Sequence, residues 1–189
     1  MVRTVALMDA NVLVSMTLTD LVMECAYQGL FAARWSDDIH REWIAAAHTM
    51  NPGRPLDKLE KRRRAMDANA DEALIEGYDA LIPALVLPDP DDRHVLAAAI
   101  HGRCDAIVTF NLKDFPAAVL AGHGIHAAHP DTFLLEVLSE DEAAFVTCVR
   151  KCRSRLLAPP KAADAYIAQL GRVGLPMLAS RLTAYEDLI

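Results

Sequence analysis

Acidic side chains stand in four stretches where they could act together: Asp9 in "LMDANVLVS" (7–15), Glu42 in "WSDDIHREW" (35–43), "DPDD" (89–92) and "NLKDF" (111–115). Three of these stretches follow apolar runs, and the one with Glu42 lies on the helical segment between the first of those runs and the second. Carboxylates gathered at one place repel one another and hold their protons more tightly unless a cation neutralises them. An all-oxygen set selects a hard divalent ion, Mg2+ or Mn2+, which keeps waters and pairs with phosphate. Such an ion lowers the pKa of a bound water and stabilises in-line displacement at phosphorus. The chemistry these residues point to is phosphodiester hydrolysis.

Each acid also has an ordinary structural role open to it. Asp9 can N-cap a following helix. In "DPDD", Asp89 suits the N-cap, Pro90 the first helical position, and Asp91 and Asp92 the first turn, where the helix dipole favours acids. Glu42 can be a plain surface residue. Capping alone does not require acids after three separate strands with another on an intervening helix, so their joint occurrence favours a shared cation site.

For these acids to meet, the segments before them must be neighbouring strands of a parallel sheet, whose carboxyl edge collects functional groups. Residues 5–8 read as a buried strand, and residues 12–27 as a helix with Leu13, Leu18, Leu21, Val22 and Cys25 inward. Residues 33–35 read as a second strand, before a helix opening at Ser36 or Asp37 with Ile39, Trp43 and Ala46 or Ala47 inward. "NPGRP" (51–55) is a turn leading to a charged helical stretch up to residue 75. Residues 84–88 are expected as strand three, "DRHVLAAAIHG" as a helix stopped by Gly102, and residues 105–110 as strand four. A last strand at 125–127 precedes "DTFLLEVL". Strands alternating with helices predict an α/β fold with both sheet faces covered. From residue 139 only helical patterns remain, at 140–156, 161–171 and 175–187, separated by "APPK" and "VGLP". The expected division is therefore 1–138 as the α/β unit and 139–189 as a helical C-terminal extension.

Composition narrows the function classes. With 189 residues, 53% of them apolar, the chain can bury a substantial core. Its net charge of −7 excludes a broad electrostatic nucleic-acid binder. Two basic clusters, "KLEKRRRAM" (58–66) and "RKCRSR" (150–155), are either local contacts to a phosphate backbone or an acidic partner, or solvated helix faces. Cys25, Cys104, Cys148 and Cys152 form no CxxC pair and read as buried thiols of a reducing compartment. No stretch is long enough to cross a bilayer and the start lacks a secretory pattern, so a cytoplasmic protein without a membrane partner is expected. His123, His126 and His129 would not share one face, and His94 and His101 are expected to face solvent. A phosphate-binding Gly-rich loop and a nucleophile elbow are both missing from the sequence.

"MDANVLVS", "WSDDIHREW", "DPDDRHVLAAAI" and "VTFNLKDFP" resemble, in order and spacing, the four motif segments of PIN-domain nucleases, particularly the VapC-type toxins of bacterial toxin–antitoxin pairs. The resemblance covers about residues 4–135, and the tail is similar to the C-terminal extension of one subgroup. It implies a three-layer α/β/α fold with a parallel sheet of about five strands. It also implies Mg2+- or Mn2+-dependent endoribonuclease activity, an RNA substrate, a cognate antitoxin and a homodimer. Carried over by position, Asp9, Glu42 and Asp92 match the first three family acids. At the fourth position many relatives have an Asp two residues after the strand-four Thr; here that residue is Asn111, with Asp114 three further on. The implied catalytic set is Asp9, Glu42, Asp92 and Asp114, with Asn111 as a neutral metal-side oxygen. Asp9 and Asp92 would bind metal directly, and Glu42 and Asp114 directly or through water; Asn11 would brace the Asp9 loop and Thr109 bond an acid. Asp89 is left as the cap. The alternative is a non-catalytic PIN-like metal-binding or protein-interaction module, which the neutral Asn111 keeps open.

Overall fold

Short, almost wholly apolar strands build the sheet, the composition expected where both faces are covered. The structure is a computed structural model that describes residues 3–70 and 72–189. In chain order its elements are β1 (Val5–Met8), α1 (Ala10–Leu13), α2 (Met16–Tyr27), β2 (Ala32–Ser36), α3 (Asp37–Met50), α4 (Leu56–Ala68) and β3 (Leu74–Ile75). They continue as α5 (Arg93–His101), β4 (Ala106–Val108), α6 (Ala117–Ala121), β5 (His126–Ala128), α7 (Pro130–Glu140), α8 (Glu142–Ser154), α9 (Ala163–Arg172) and α10 (Pro176–Leu182). The five strands lie in the order β3-β2-β1-β4-β5, all parallel. Helices cover both faces, which makes the three-layer α/β/α arrangement, with a helical C-terminal part. The chain lays strands to one side of β1 and then crosses to the other, so the order switches between β1 and β4. At such a switch the carboxyl ends of the strands diverge and leave a crevice. Met8 pairs with Val108, which sets Asp9 and Thr109 side by side at that point.

Three elements differ from the sequence reading. The helix expected over 12–27 is two helices, broken where the Ser15 hydroxyl accepts from Leu18 N at 3.3 Å and caps α2; the five inward positions are buried all the same. The charged helix α4 ends at Ala68, not near residue 75, and Leu74–Ile75 is the third strand, paired with β2. Two residues are too few to show a period, so this strand carries no pattern of its own. Residues 84–88, expected as strand three, pair with no strand among the described residues. Pro83 closes a 3-10 turn at Asp79–Ala84 and the chain then passes over the core with Leu85 and Leu87 buried and Val86 exposed, imitating strand alternation without a ladder.

The C-terminal helices pack on earlier ones and on each other: α8 against α2 and α7, and α10 against α7 and α9. Cys148 and Cys152 of α8 are both buried, and all four cysteines are free thiols. Glu24 of α2 is buried and pairs with Lys151, at 3.2 Å, and with Arg155. Much of the 150–155 basic cluster therefore holds the tail in place. The 58–66 cluster is likewise partly inward: Arg62 lies 4.5 Å over the Trp43 ring, and Arg63 is 2.7 Å from Asp37.

A polar network joins α3 to α4. Trp43 Nε1 donates to His40 Nδ1 at 2.8 Å, while His40 Nε2 and Trp35 Nε1 both reach Asp67 Oδ1, at 3.0 and 2.8 Å. Because Nδ1 accepts, the proton of the neutral ring sits on Nε2. Burial, the largest effect, pulls the His40 pKa below its ordinary 6.5 despite the Asp67 carboxylate. The unfolded chain then takes up a proton that the folded chain resists, so this group's contribution is present at neutral pH and lost as the pH falls through 6.5. Urea midpoints measured at pH 7.5 and 5.5 are expected to fall less in His40→Gln than in the wild type; an equal fall would show that His40 stays out of the linkage.

Candidate active site

The carboxyl end of β1 delivers Asp9, and three hydrogen bonds hold its side chain. Oδ1 accepts from Ala10 N at 2.6 Å, which caps α1, and Oδ2 accepts from Asn11 Nδ2 at 2.6 Å and from Thr109 Oγ1 at 2.7 Å. Asn11 also donates to Thr109 Oγ1 at 2.9 Å and accepts from Phe110 N at 3.1 Å, tying the loop after β1 to the loop after β4. Burial pushes the Asp9 pKa up, the Thr109 and Ala10 donors hold it down in part, and the charge of Glu42 raises it further. The same carboxylate therefore caps α1 and feels the charge of Glu42, while it lies outside the group of three acids whose oxygens come within 4.8 Å of one another.

Asp92 ends a 3-10 turn, Pro90–Asp92, that Asp89 caps by accepting from Asp91 N at 2.9 Å. Its pKa is pushed up to about 6, first by burial and then by the charges of Asp9, Asp89 and Asp114. Asp89, Asp92 and Asp114 each offer an oxygen within 4.8 Å of the others. Asp114 arrives from the 3-10 turn Leu112–Asp114, and Asn111 Nδ2 donates to its Oδ2, while Asn111 N donates to Thr109 Oγ1 at 3.0 Å. Asn111 thus uses its side-chain nitrogen on the neighbouring acid.

Of the five residues singled out in the sequence, the structure brings Asp92 and Asp114 into one group, with Asn111 bonded to Asp114. It sets Asp9 close enough that its charge is the strongest neighbouring charge on Asp92. Glu42 lies outside the tight group, on α3, with its side chain about half exposed. Two residues of the site were missed. Asp89 is a cap and also a member of the carboxylate triple; the signal was the i, i+3 spacing across Pro90, because in a 3-10 turn those positions eclipse. His94 does not face solvent as expected: its side chain is 12% exposed and Nε2 lies 2.8 Å from Glu42 Oε1. No spacing in the sequence links those two residues. His101, His123 and His126 are exposed, and His129 accepts from Asp131 N and caps α7.

Among the described residues no Lys or Arg pairs with Asp9, Asp89, Asp92 or Asp114. The donor set is all carboxylate, its charge lacks an internal counter-ion, and Asp89 and Glu42 open onto solvent. These features fit a hard divalent cation approached from outside. A groove of about 420 Å3 between α2 and α4, lined by Met16, Met23, Tyr27 and Met66, contains none of these acids.

Comparison with known proteins agrees with this geometry. Residues 5–113 match the family described as "PIN domain", and residues 130–184 match "VapC50 C-terminal domain". The protein of Mycobacterium tuberculosis (strain ATCC 25618 / H37Rv) named "Putative ribonuclease VapC50" is 38% identical over 105 residues, which cover 56% of this chain and 61% of that protein. The match therefore spans less than two thirds of that relative's length. No solved structure gives a significant match. With more than half of the chain matched by that family's model, the chain belongs to the PIN-domain family.

Proposed function

We propose that this protein is a Mg2+- or Mn2+-dependent endoribonuclease that hydrolyses RNA phosphodiester bonds and acts as the toxin of a toxin–antitoxin pair. The observation that carries the reading is the group of un-neutralised carboxylates at the strand-order switch. The printed name of the M. tuberculosis relative, a ribonuclease, supports it. Asp9, Asp92 and Asp114 would hold the ion, with Asp89 beside them, Glu42 at the solvent side and Asn111 holding Asp114. A divalent ion held there would supply Lewis-acid polarisation of a phosphate and a lowered pKa for a bound water. The chain's own part is positional. Thr109 and Asn11 fix the Asp9 carboxylate and Asn111 fixes Asp114; the exposed Glu42 carboxylate would orient the attacking water.

The substrate would be a single-stranded or structured RNA reached from the open edge, since a net charge of −7 disfavours extended contact with a phosphate backbone. In this reading residues 1–138 form the nuclease unit and 139–189 the extension, an antitoxin occludes the carboxylate edge, two copies form a homodimer, and the protein works in the cytoplasm. No helix among the described residues is long and apolar enough to cross a membrane. One observation favours a second reading, a non-catalytic metal- or partner-binding module: the fourth position is the neutral Asn111, whose side-chain NH2 is bonded to Asp114.

The test is incubation of labelled RNA with wild type and Asp9→Asn, in Mn2+, in Mg2+ and in excess chelator. Cleavage that needs the ion and vanishes in the variant is expected. Mn2+ binding without cleavage on any RNA would favour the second reading.

A further inference from the structure

We propose that His94 is a positioning residue for Glu42: its buried ring holds the Glu42 carboxylate against the site, so that an acid on an otherwise free helix face takes part in cation binding. The inference rests on the metal-site reading above and adds a residue and a role to it.

Three observations carry it. Glu42 belongs to α3, is about half exposed, and has no Lys or Arg partner among the described residues, so nothing else directs its carboxylate inward. His94, two residues after Asp92 at the start of α5, has both ring nitrogens buried and neither in a hydrogen bond. Its Nε2 nevertheless stands 2.8 Å from Glu42 Oε1, at bonding distance but out of line. Buried polar groups are ordinarily paired, so a ring with both nitrogens unpaired calls for an explanation. A small rotation of the half-exposed Glu42 chain brings the pair into line, with Nε2–H donating to Oε1 and the second carboxylate oxygen left for the cation or its water. Outer partners of this kind orient ligating carboxylates and set metal affinity. His94 is not itself among three donors able to share an ion; among the described residues that group is Asp89, Asp92 and Asp114. Its reach is through Glu42, whose charge in turn acts on Asp9.

The experiment is calorimetric titration of the full chain with Mn2+ in wild type, Asp92→Asn, His94→Met, His94→Gln, Glu42→Gln and the double variant His94→Met/Glu42→Gln. Met fills the space without a donor, and Gln keeps a donor near the Nε2 position. His94→Met is expected to weaken Mn2+ binding about tenfold, in the range of such outer partners. His94→Gln should retain most of the affinity, and the double variant should bind no more weakly than Glu42→Gln alone, because the two residues act as one unit. Wild-type affinity in His94→Met, equal losses in the Met and Gln variants, or losses that multiply in the double variant would overturn the proposal. Binding lost in Asp92→Asn but intact in His94→Met overturns this inference alone. A wild type that binds no Mn2+, or an Asp92→Asn that binds like it, overturns the metal-site reading and this inference with it. Should His94→Met not fold, a crystal structure of the wild type with Mn2+ decides: Glu42 in contact with both His94 and the ion or its water supports the proposal, and Glu42 turned to solvent overturns it.

Discussion

Asp92→Asn is expected to lose Mn2+ binding and RNA cleavage while making the metal-free protein more stable at neutral pH. The carboxylate of Asp92 makes no side-chain capping bond for the substitution to break. What it does carry is repulsion: burial and the charges of Asp9, Asp89 and Asp114 raise its pKa to about 6 from 3.8. A folded-state pKa above the unfolded one means that the folded chain holds the proton more tightly. The group therefore destabilises the fold above pH 6, and the penalty is relieved as the pH falls through 6 towards 4. Taken at face value the shift would be worth about 3 kcal/mol, but the group is only partly buried and solvent screening reduces this to about 1 kcal/mol. This is opposite in direction to the His40 effect, so the two are separated by variant and not by the wild-type curve alone. Urea unfolding of wild type and Asp92→Asn at pH 7.5 and 4.5 reads the difference. The variant should be the more stable at pH 7.5, and the gap should close at pH 4.5. Mn2+ at a hundred times its Kd should stabilise the wild type by about 2.7 kcal/mol and leave the variant unchanged. A variant that is less stable at pH 7.5 would show that Asp92 is not strained by its acidic neighbours, and one that Mn2+ still stabilises would show that Asp92 is not a ligand of the ion.

Asp131→Ala is expected to destabilise the protein by about 3 kcal/mol, through the contact between α7 and α10. Asp131 lies in the first turn of α7 and is buried. Its Oδ2 accepts from Met177 N and its Oδ1 from Leu178 N, both at 2.8 Å. These are amides of the first turn of α10, which has no side-chain cap of its own: Leu175 holds the cap position and Pro176 follows. Removing the carboxylate leaves the two amides without their acceptors, one of them buried, together with a small void. Asp131→Asn keeps one accepting oxygen but turns an NH2 towards the other amide, so an intermediate loss is expected. Urea midpoints and slopes measure both; a loss under about 1 kcal/mol for Asp131→Ala would show that water replaces the cap. The contact also bears on the site. Gly174, at φ +98°, leaves room for the Phe110 ring, which a Cβ there would meet at 2.6 Å. Phe110 lies between Thr109 and Asn111, and its amide is bonded to Asn11. Tail and acidic edge therefore meet through one aromatic side chain.

Much of the framework was legible in the sequence because its signals are local. Val5–Met8 is a continuous apolar run, Ser36 caps α3, and Gly102 ends α5; all three appear where the chain pattern put them. Asp9 and Asp92 stood out because an acid directly after an apolar strand, or in a proline-led turn, marks the edge of a parallel sheet. The third strand was misplaced because Leu74–Ile75 is a strand only through its pairing with β2, while 84–88 shows alternation without any partner. The same reason hid the role of the basic clusters, since whether Arg62, Arg63 or Arg155 faces solvent depends on which helix lies opposite. His94 and Glu42 are 52 positions apart, and Asp131 and Leu178 are 47. The sequence by itself determined which segments could be strands and helices and which acids end them, because those choices depend on neighbours along the chain. Only the tertiary structure decided which acids share a space, which ring stands against Glu42 and what caps α10, because these contacts form between segments whose distance is set by packing.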